Sequence, residues 1–229
     1  MPLNRCNCEG CELKTLFFEN VSTLEIEEMC TRKEEKLFHK GEFIIREGEK
    51  IHEFIYLKSG LVKLFKGNAD EKEQIICFAG PFDFVSLLSI FSEDSFNYSV
   101  VALEDSITCS LKLDEVRTLA LLNGKFALSI IEKTNKAADN IIHTFLELKQ
   151  RRLFGRIAYI LLYFSKKVYR SNTFELPVSR KEIAEFIGMT TENVIRTLSE
   201  LRKDNIIKIS GKTIEILDLE RLNKINEFS

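Results

Sequence analysis

The sequence predicts an α+β protein with a β-rich first half, one long helix and a winged helix-turn-helix near the C-terminus. Three observations support this prediction. Short apolar runs alternate with glycines over residues 36–113, a stretch without glycine or proline covers 125–152, and two short helical segments then precede a glycine-centred hairpin. Strands of this length and spacing are typical of a sandwich or barrel.

Glycines punctuate the β-rich half. Apolar runs such as 54–57 and 61–65 are separated by residues that tolerate tight turns and positive φ. The glycines expected at these turns are Gly41, Gly48, Gly60 and Gly80.

The long helix carries two apolar stripes. One has alternating spacings of four and three, which predicts a seam between two helices. We expect the other stripe to cover the protein's own body, and since two stripes need two surfaces, we expect a homodimer. The alternative is a helix packed only within its own chain. The predicted dimer interface is Ile130, Thr134, Ala137, Ile141, Thr144 and Leu148, and the second stripe is Ile131, Ala138, Ile142, Phe145 and Leu146.

The C-terminal part contains start and stop signals for two helices. Ser179 and Glu182 form an S-x-x-E capping box at the start of the first. Gly188 marks the turn that follows, and Thr190 is the predicted N-cap of the second helix. Alternating residues on both sides of Gly211 then predict a two-stranded wing.

Composition and charge set the class of protein. The 229 residues are 45% hydrophobic and 30% charged, as expected of a globular chain of two domains. Residues 149–212 hold 14 lysines and arginines against 6 acidic residues, which suits a polyphosphate partner or a solvated basic face. We expect a cytoplasmic protein with no membrane contact, because the N-terminus lacks a signal-like apolar region and no run approaches the roughly 18–20 apolar residues of a membrane span.

This order of elements resembles the Crp/Fnr superfamily of bacterial transcription regulators. The first half carries GEFIIREGE at 41–49 and FIYLKSGLVKL at 54–64, and the second half carries VSRKEIAEFIGMTTENVIRTL at 178–198. The likeness covers residues 36–217 and is nearest to the Fnr-like branch, which senses oxygen or redox state.

The resemblance implies a specific architecture and mode of regulation. It implies a double-stranded β-roll of the cyclic-nucleotide-binding, jelly-roll type that senses a signal and controls a DNA-binding domain. The predicted domains are a cysteine-containing segment at 1–20, the β-roll at 21–124, a dimerisation helix at 125–152 and the winged helix-turn-helix at 153–229.

The second helix of the motif, 191–203, is implied as the recognition helix in the DNA major groove. The family reads its operators with a glutamate and an arginine at the positions of Glu192 and Arg196, which suit cytosine and guanine. A surface ion pair between these two residues is the alternative. Ile195 and Thr191 depart from the serine and arginine of known branches, so the flanking bases are expected to differ.

The remaining predicted contacts are to phosphate, which fixes register without base specificity. They are Ser179, Arg180, Lys181, Thr190, Thr197 and Lys212. The full predicted DNA interface adds Thr191, Glu192, Asn193, Ile195 and Arg196. The expected partners are a palindromic double-stranded operator, a second copy of the chain and RNA polymerase.

Cyclic AMP is not expected as the ligand of the roll. Relatives that bind it carry a glutamate and an arginine in the loop after the turn at Gly80. Residues 81–98 contain no arginine or lysine, and a buried phosphodiester without a cation would be unpaired.

The cysteines suggest a metal centre. Three lie within six residues near the N-terminus, and Cys109 occupies the place of the distant fourth ligand of the [4Fe–4S] cluster in Fnr-like relatives. The relatives' C-x2-C-x5-C spacing would put a ligand at Phe17, so the C-x-C-x2-C pattern departs from it. Zinc with Cys30, thiol redox chemistry and no metal remain alternatives. The predicted ligands are Cys6, Cys8, Cys11 and Cys109.

Other function classes are less consistent with the sequence. His39, His52 and His143 are expected to be surface or packing residues and not haem ligands. The sequence shows no serine–histidine–acid constellation, phosphate-binding loop or H-E-x-x-H motif, so we do not expect an enzyme. A cyclic-nucleotide regulatory subunit would not need the helix-turn-helix, and a cysteine-based redox protein would need acid–base groups.

Overall fold

The computed structural model describes residues 21, 33–67, 73–81, 83, 85–86 and 88–228. It confirms the α+β fold, with a β-rich part followed by a helical part. The chain divides into two compact units, and the division falls within the long helix, between Asn140 and Ile141. Cys6, Cys8, Cys11 and Cys30 lie outside the described residues.

The first unit contains two antiparallel sheets. Their strand orders are β1-β7-β3 and β2-β6-β4-β5. The turn at Gly60 requires glycine, because φ is +97° and an added Cβ would lie 2.7 Å from the Cα of Ser106. The strands are β1 (Glu34–Phe38), β2 (Phe43–Ile45), β3 (Glu53–Ser59), β4 (Val62–Lys66), β5 (Gln74–Ala79), β6 (Ser99–Ala102) and β7 (Ser106–Lys112).

One apolar core fills this unit. It takes side chains from both sheets and from the first helices. Its largest fully buried members include Phe54, Leu57, Leu113 and Phe126.

Two helices follow the strands, α1 (Leu113–Leu122) and α2 (Gly124–Gln150). Asn123 separates them, and its Oδ1 accepts a hydrogen bond from the N–H of Phe126 at 3.1 Å. The predicted long helix is therefore present, and it ends two residues before the predicted limit. Among the described residues, no helix combines the length and the apolar character that a membrane crossing requires.

The structure contradicts the predicted orientation of α2. Ile130 and Leu148, predicted at the dimer seam, are 5% and 6% exposed within a single chain. Ala137 packs against the core of the first unit, and the Thr144 hydroxyl lies 3.2 Å from that of Tyr159. Thr134 and Ile141 are half-buried.

The second stripe is the exposed one. Ile142 and Phe145 are 56% and 55% exposed, and Ile131 and Leu146 are also exposed, whereas we predicted that this stripe covers the protein's own body. Periodicity identified both stripes. It could not show which stripe is buried within the chain and which is exposed, because both are apolar and only tertiary packing decides this.

The second unit contains the last ten residues of α2, from Ile141 to Gln150, which are followed by the mostly buried helix α3 (Leu153–Leu162). A π-helical segment, Tyr163–Tyr169, extends it and ends at Arg170, which has a φ of 49°. The remaining elements are β8 (Thr173–Glu175), α4 (Arg180–Ile187), α5 (Thr191–Lys203), β9 (Ile207–Ser210), β10 (Thr213–Ile216) and α6 (Leu219–Phe228). The three strands form a sheet of order β8-β10-β9.

Candidate nucleic-acid interface

A capping box fixes the start of α4, as predicted. The N–H of Glu182 donates to Oγ of Ser179 at 3.2 Å, and the N–H of Ser179 donates to the Glu182 carboxylate at 2.8 Å. At the other end Gly188 has a φ of +68°, and the N–H of Met189 donates to the carbonyl of Ala184 at 2.9 Å. These bonds satisfy backbone groups at both ends of the helix and define the turn into α5.

The inner face of α5 is apolar. Thr190 caps the helix by accepting a hydrogen bond from the N–H of Asn193 at 3.3 Å. Val194, Leu198 and Leu201 are buried. Their spacings of four and three place them on one side of the helix, so the opposite side faces outward.

The outer face of α5 presents two predicted base-reading residues. Glu192 and Arg196 are exposed, and Ile195 between them is 51% exposed. Arg196 contacts Asn193 and Glu200, with Nη2 3.2 Å from the Asn193 Oδ1 and Nε 4.0 Å from the Glu200 carboxylate. Among the described residues, Glu192 and Arg196 do not form the ion pair that was the alternative interpretation.

Glu192 is held in its ionised form. A hydrogen bond from its own backbone N–H and one from the Thr190 hydroxyl lower the pKa of its carboxyl group. An ionised carboxylate only accepts hydrogen bonds, so Glu192 can pair with an amine donor such as that of cytosine.

The position of Thr197 contradicts its predicted phosphate contact. The residue is 0% exposed on the inner face of α5, and its hydroxyl has no hydrogen-bond partner within the part of the chain that the structure describes. Thr197 lies three residues after Val194 and four before Leu201, which are both buried. A threonine is small and amphiphilic, so its identity alone did not reveal its side of the helix.

The other predicted phosphate contacts differ in availability. The Ser179 hydroxyl donates to the Glu182 carboxylate at 2.9 Å while it caps the helix, so it is occupied. Lys181 and Thr190 are exposed, and the Lys181 ammonium lies 3.8 Å from Glu185. Burial lowers the pKa of Arg180, which is half-buried.

The wing is an anchored hairpin. Its loop contains Gly211, with a φ of +62°, and the exposed Lys212. The carbonyl of Lys212 accepts a hydrogen bond from the N–H of Leu176 at 3.0 Å, and β8 pairs with the other edge of β10. Neither β8 nor the exposed Arg202 of α5 was predicted from the sequence.

The described cysteines are core residues. Cys109 is completely buried on β7, opposite Glu35 of β1 and Tyr56 of β3. Burial, with a contribution from Asp83, raises the pKa of the Cys77 thiol to about 12. No group of three or more histidine, cysteine or acidic side chains that could hold a metal occurs within the described ranges. The three histidines are exposed, which confirms their predicted surface positions.

Two family models match the chain. Residues 35–123 match the cyclic nucleotide-binding domain, and residues 155–225 match the Crp-like helix-turn-helix domain. The first match covers β1 to β7 and α1, and the second covers most of the chain from α3 to α6.

Relatives and solved structures match along most of the chain. The transcriptional activator protein Anr of Pseudomonas protegens is 27% identical, over 94% of this chain and 90% of its own length. Electron transport regulator A of Shewanella oneidensis is 25% identical, over 95% and 89%. FixK2 of Bradyrhizobium japonicum superposes with a TM-score of 0.74 at 25% identity, covering 84% of this chain and 96% of FixK2.

Proposed function

Because the chain belongs to the Crp/Fnr family of transcriptional regulators, we propose that it acts as a dimer on a palindromic operator in double-stranded DNA. The observation that carries this proposal is the exposed pair Glu192 and Arg196 on the outer face of α5. A dimer presents this pair twice, and half-sites about one helical turn apart, roughly 34 Å, accommodate two recognition helices.

Each half-site is bound through bases and phosphates. Arg196 pairs with the two acceptors on the major-groove edge of guanine, and Glu192 accepts from the amine of a cytosine. Arg180, Lys181, Thr190 and Lys212 contact phosphates and set the register.

The partner that covers the exposed stripe of α2 is a second copy of the chain. Ile131, Ala138 and Phe145 recur every seven residues along a 27-residue helix, which is the repeat of a two-stranded coiled coil. Three of the large apolar side chains of this stripe, Ile131, Ile142 and Phe145, are more than half exposed in one chain. The dimer surface is therefore centred on this stripe, with Thr134 and Ile141 at its edge.

The signal that controls the dimer is redox state, sensed through Cys6, Cys8, Cys11 and Cys109. Four thiolates are the donor set of a [4Fe–4S] cluster, which supplies a redox-active iron centre when it is bound. Burial of Cys109 keeps water from its thiol, as suits a cluster ligand and also an inert core cysteine. Relatives named anaerobic regulatory protein and electron transport regulator support a redox signal.

The cysteine proposal is tested by anaerobic purification with iron and sulfide assays and a visible spectrum. Wild type and the control Cys77→Ala are expected to carry iron and sulfide, and Cys109→Ala is expected to lose both. A colourless, iron-free wild type would reject the cluster and leave a ligand-responsive or thiol-based regulator.

The chain is not an enzyme in this proposal, and cyclic AMP is not its ligand. Residues 81–98 offer no cation for a phosphodiester. Relatives named transcriptional activators suggest that the DNA-bound dimer contacts RNA polymerase, which places its action in the cytoplasm.

DNA binding is tested by selecting duplexes from a randomised library with the wild-type chain. We expect recovery of an inverted repeat with a G·C pair at a fixed place in each half. Recovery of no enriched sequence under aerobic and anaerobic conditions would refute operator binding.

A further inference from the structure

The guanidinium of Arg156 joins two distant backbone segments of the second unit. Its Nε donates to the carbonyl of Arg151 at 2.9 Å, and its Nη1 donates to the carbonyl of Ile187 at 2.9 Å. Nη1 also lies 3.6 Å from the sulfur of Met189. Arg156 itself is on α3, so one side chain connects three segments of the unit.

The two carbonyls mark the ends of two functional elements. Arg151 follows directly after the last residue of α2, and Ile187 is the last residue of α4, before the turn into α5. Nη1 also lies beside Gly188, at an ordinary van der Waals distance of 3.8 Å from the position that an added Cβ would take. Carbonyls in a last helical turn lack an amide partner within the helix, and a cation there is favourable.

Arg151 is itself held in place. Its Nη1 donates to the carbonyl of Glu147 at 2.7 Å within α2, and its Nε donates to the carbonyl of Asn226 on α6 at 2.9 Å. Its guanidinium lies 5.4 Å from the centre of the Tyr159 ring. The carbonyl that Arg156 binds is therefore fixed to the last turn of α2.

We propose that Arg156 is a positioning residue that sets the turn of the helix-turn-helix, and with it α5, against the end of α2. The inference rests on the proposed function, since its purpose is to place the outer face of α5 for DNA. The side chain must be arginine, because two carbonyls in different directions need separate N–H groups of one rigid plane. A lysine ammonium carries its donors on one atom and cannot reproduce this arrangement.

The test compares Arg156→Lys and Arg156→Gln with the control Arg152→Gln. Arg152 is an exposed arginine four residues earlier, so its substitution removes a charge from the same region. The first measurement is hydrogen–deuterium exchange of the free protein. We expect exchange of the Gly188 and Met189 amides to rise roughly tenfold in both Arg156 variants and to stay unchanged in the control.

The second measurement is binding to the duplex selected by the wild-type chain and to a scrambled duplex. Loss of one charge-assisted hydrogen bond predicts roughly tenfold weaker binding of the selected duplex by Arg156→Lys, with little change for the scrambled one. Melting temperatures establish that each variant is folded.

The outcomes separate this inference from the proposed function. A wild-type chain that selects no duplex refutes the proposed function, and the exchange measurement still tests Arg156. Wild-type exchange in the turn of Arg156→Lys overturns the inference. Loss of cooperative folding in both Arg156 variants overturns it as well, because the guanidinium would then serve stability and not position.

Discussion

Arg196 donates a hydrogen bond from Nη2 to Oδ1 of Asn193, one turn earlier on α5, at 3.2 Å. Glu200 lies on its other side, 4.0 Å from Nε, and the Arg196 side chain remains 66% exposed. The guanidinium is thus oriented by its own helix and still open to a partner. A side chain that is already oriented loses less conformational entropy when it binds.

Arg196→Ala is expected to reduce the discrimination between the operator and other sequences by roughly tenfold or more. A bidentate contact to guanine contributes about 1–3 kcal/mol of selectivity, while phosphate contacts remain in the variant. The measurement is a gel-shift competition between selected and scrambled duplexes. Unchanged discrimination would reject the assignment of Arg196 to a base.

Lys212→Ala serves as the contrasting variant. Lys212 is exposed at the wing. If it neutralises one phosphate, it adds the same binding free energy on every DNA sequence. We expect weaker binding to selected and scrambled duplexes alike, and a reduction of about 1 in the slope of log affinity against log salt. A selective loss on the operator would instead assign Lys212 to base recognition.

Glutamate at Ile142 or Phe145 is expected to dissociate the dimer. Each of these side chains is a little more than half exposed in one chain, so covering it contributes about 1 kcal/mol, and a buried unpaired carboxylate is costly. Sedimentation velocity over a range of concentrations should show monomers for Ile142→Glu and Phe145→Glu. Asn140→Glu, at an exposed position on the opposite side of the helix from Ile142, should remain dimeric. Dimers in all three variants would exclude this face as the interface.

Local signals in the sequence predicted the recognition motif well. The capping box at Ser179 and the left-handed conformation of Gly188 depend only on residues within a few positions, so both can be predicted from the local sequence. The orientation of α2 could not be predicted in this way. Its two stripes are both apolar, and Ile130 is buried as a member of a core whose other residues are mostly far away in the sequence.

Short or irregular elements were also beyond prediction. β8 has three residues and is stabilised by pairing with β10, forty positions later in the chain. The π-helical segment after α3 contains no glycine or proline from which it could be predicted. For the site, Arg156 resembled any other basic residue, because its role depends on two carbonyls in other parts of the fold.

Thr197→Val is expected to stabilise the protein by about 1 kcal/mol. The buried Thr197 hydroxyl has no hydrogen-bond partner among the described residues, and valine has nearly the same shape without the polar atom. Chemical denaturation measures the free energy of unfolding. The control Thr190→Val should lose about 1 kcal/mol, since it removes the N-cap of α5. If Thr197→Val bound DNA more weakly without losing stability, the result would support the predicted phosphate contact of Thr197.

Ile195 is expected to select a thymine beside the guanine that Arg196 binds. It is 51% exposed on the same face, adjacent in sequence to Arg196, and an exposed isoleucine offers apolar contact to the thymine methyl group. Replacing that thymine by uracil removes one methyl, worth about 0.8 kcal/mol or roughly fourfold in affinity. Wild type should show this loss in a fluorescence-anisotropy titration, whereas Ile195→Ser should bind both duplexes equally. Equal binding by wild type, or a fourfold loss that persists in Ile195→Ser, would show that the methyl is read by another residue or by none.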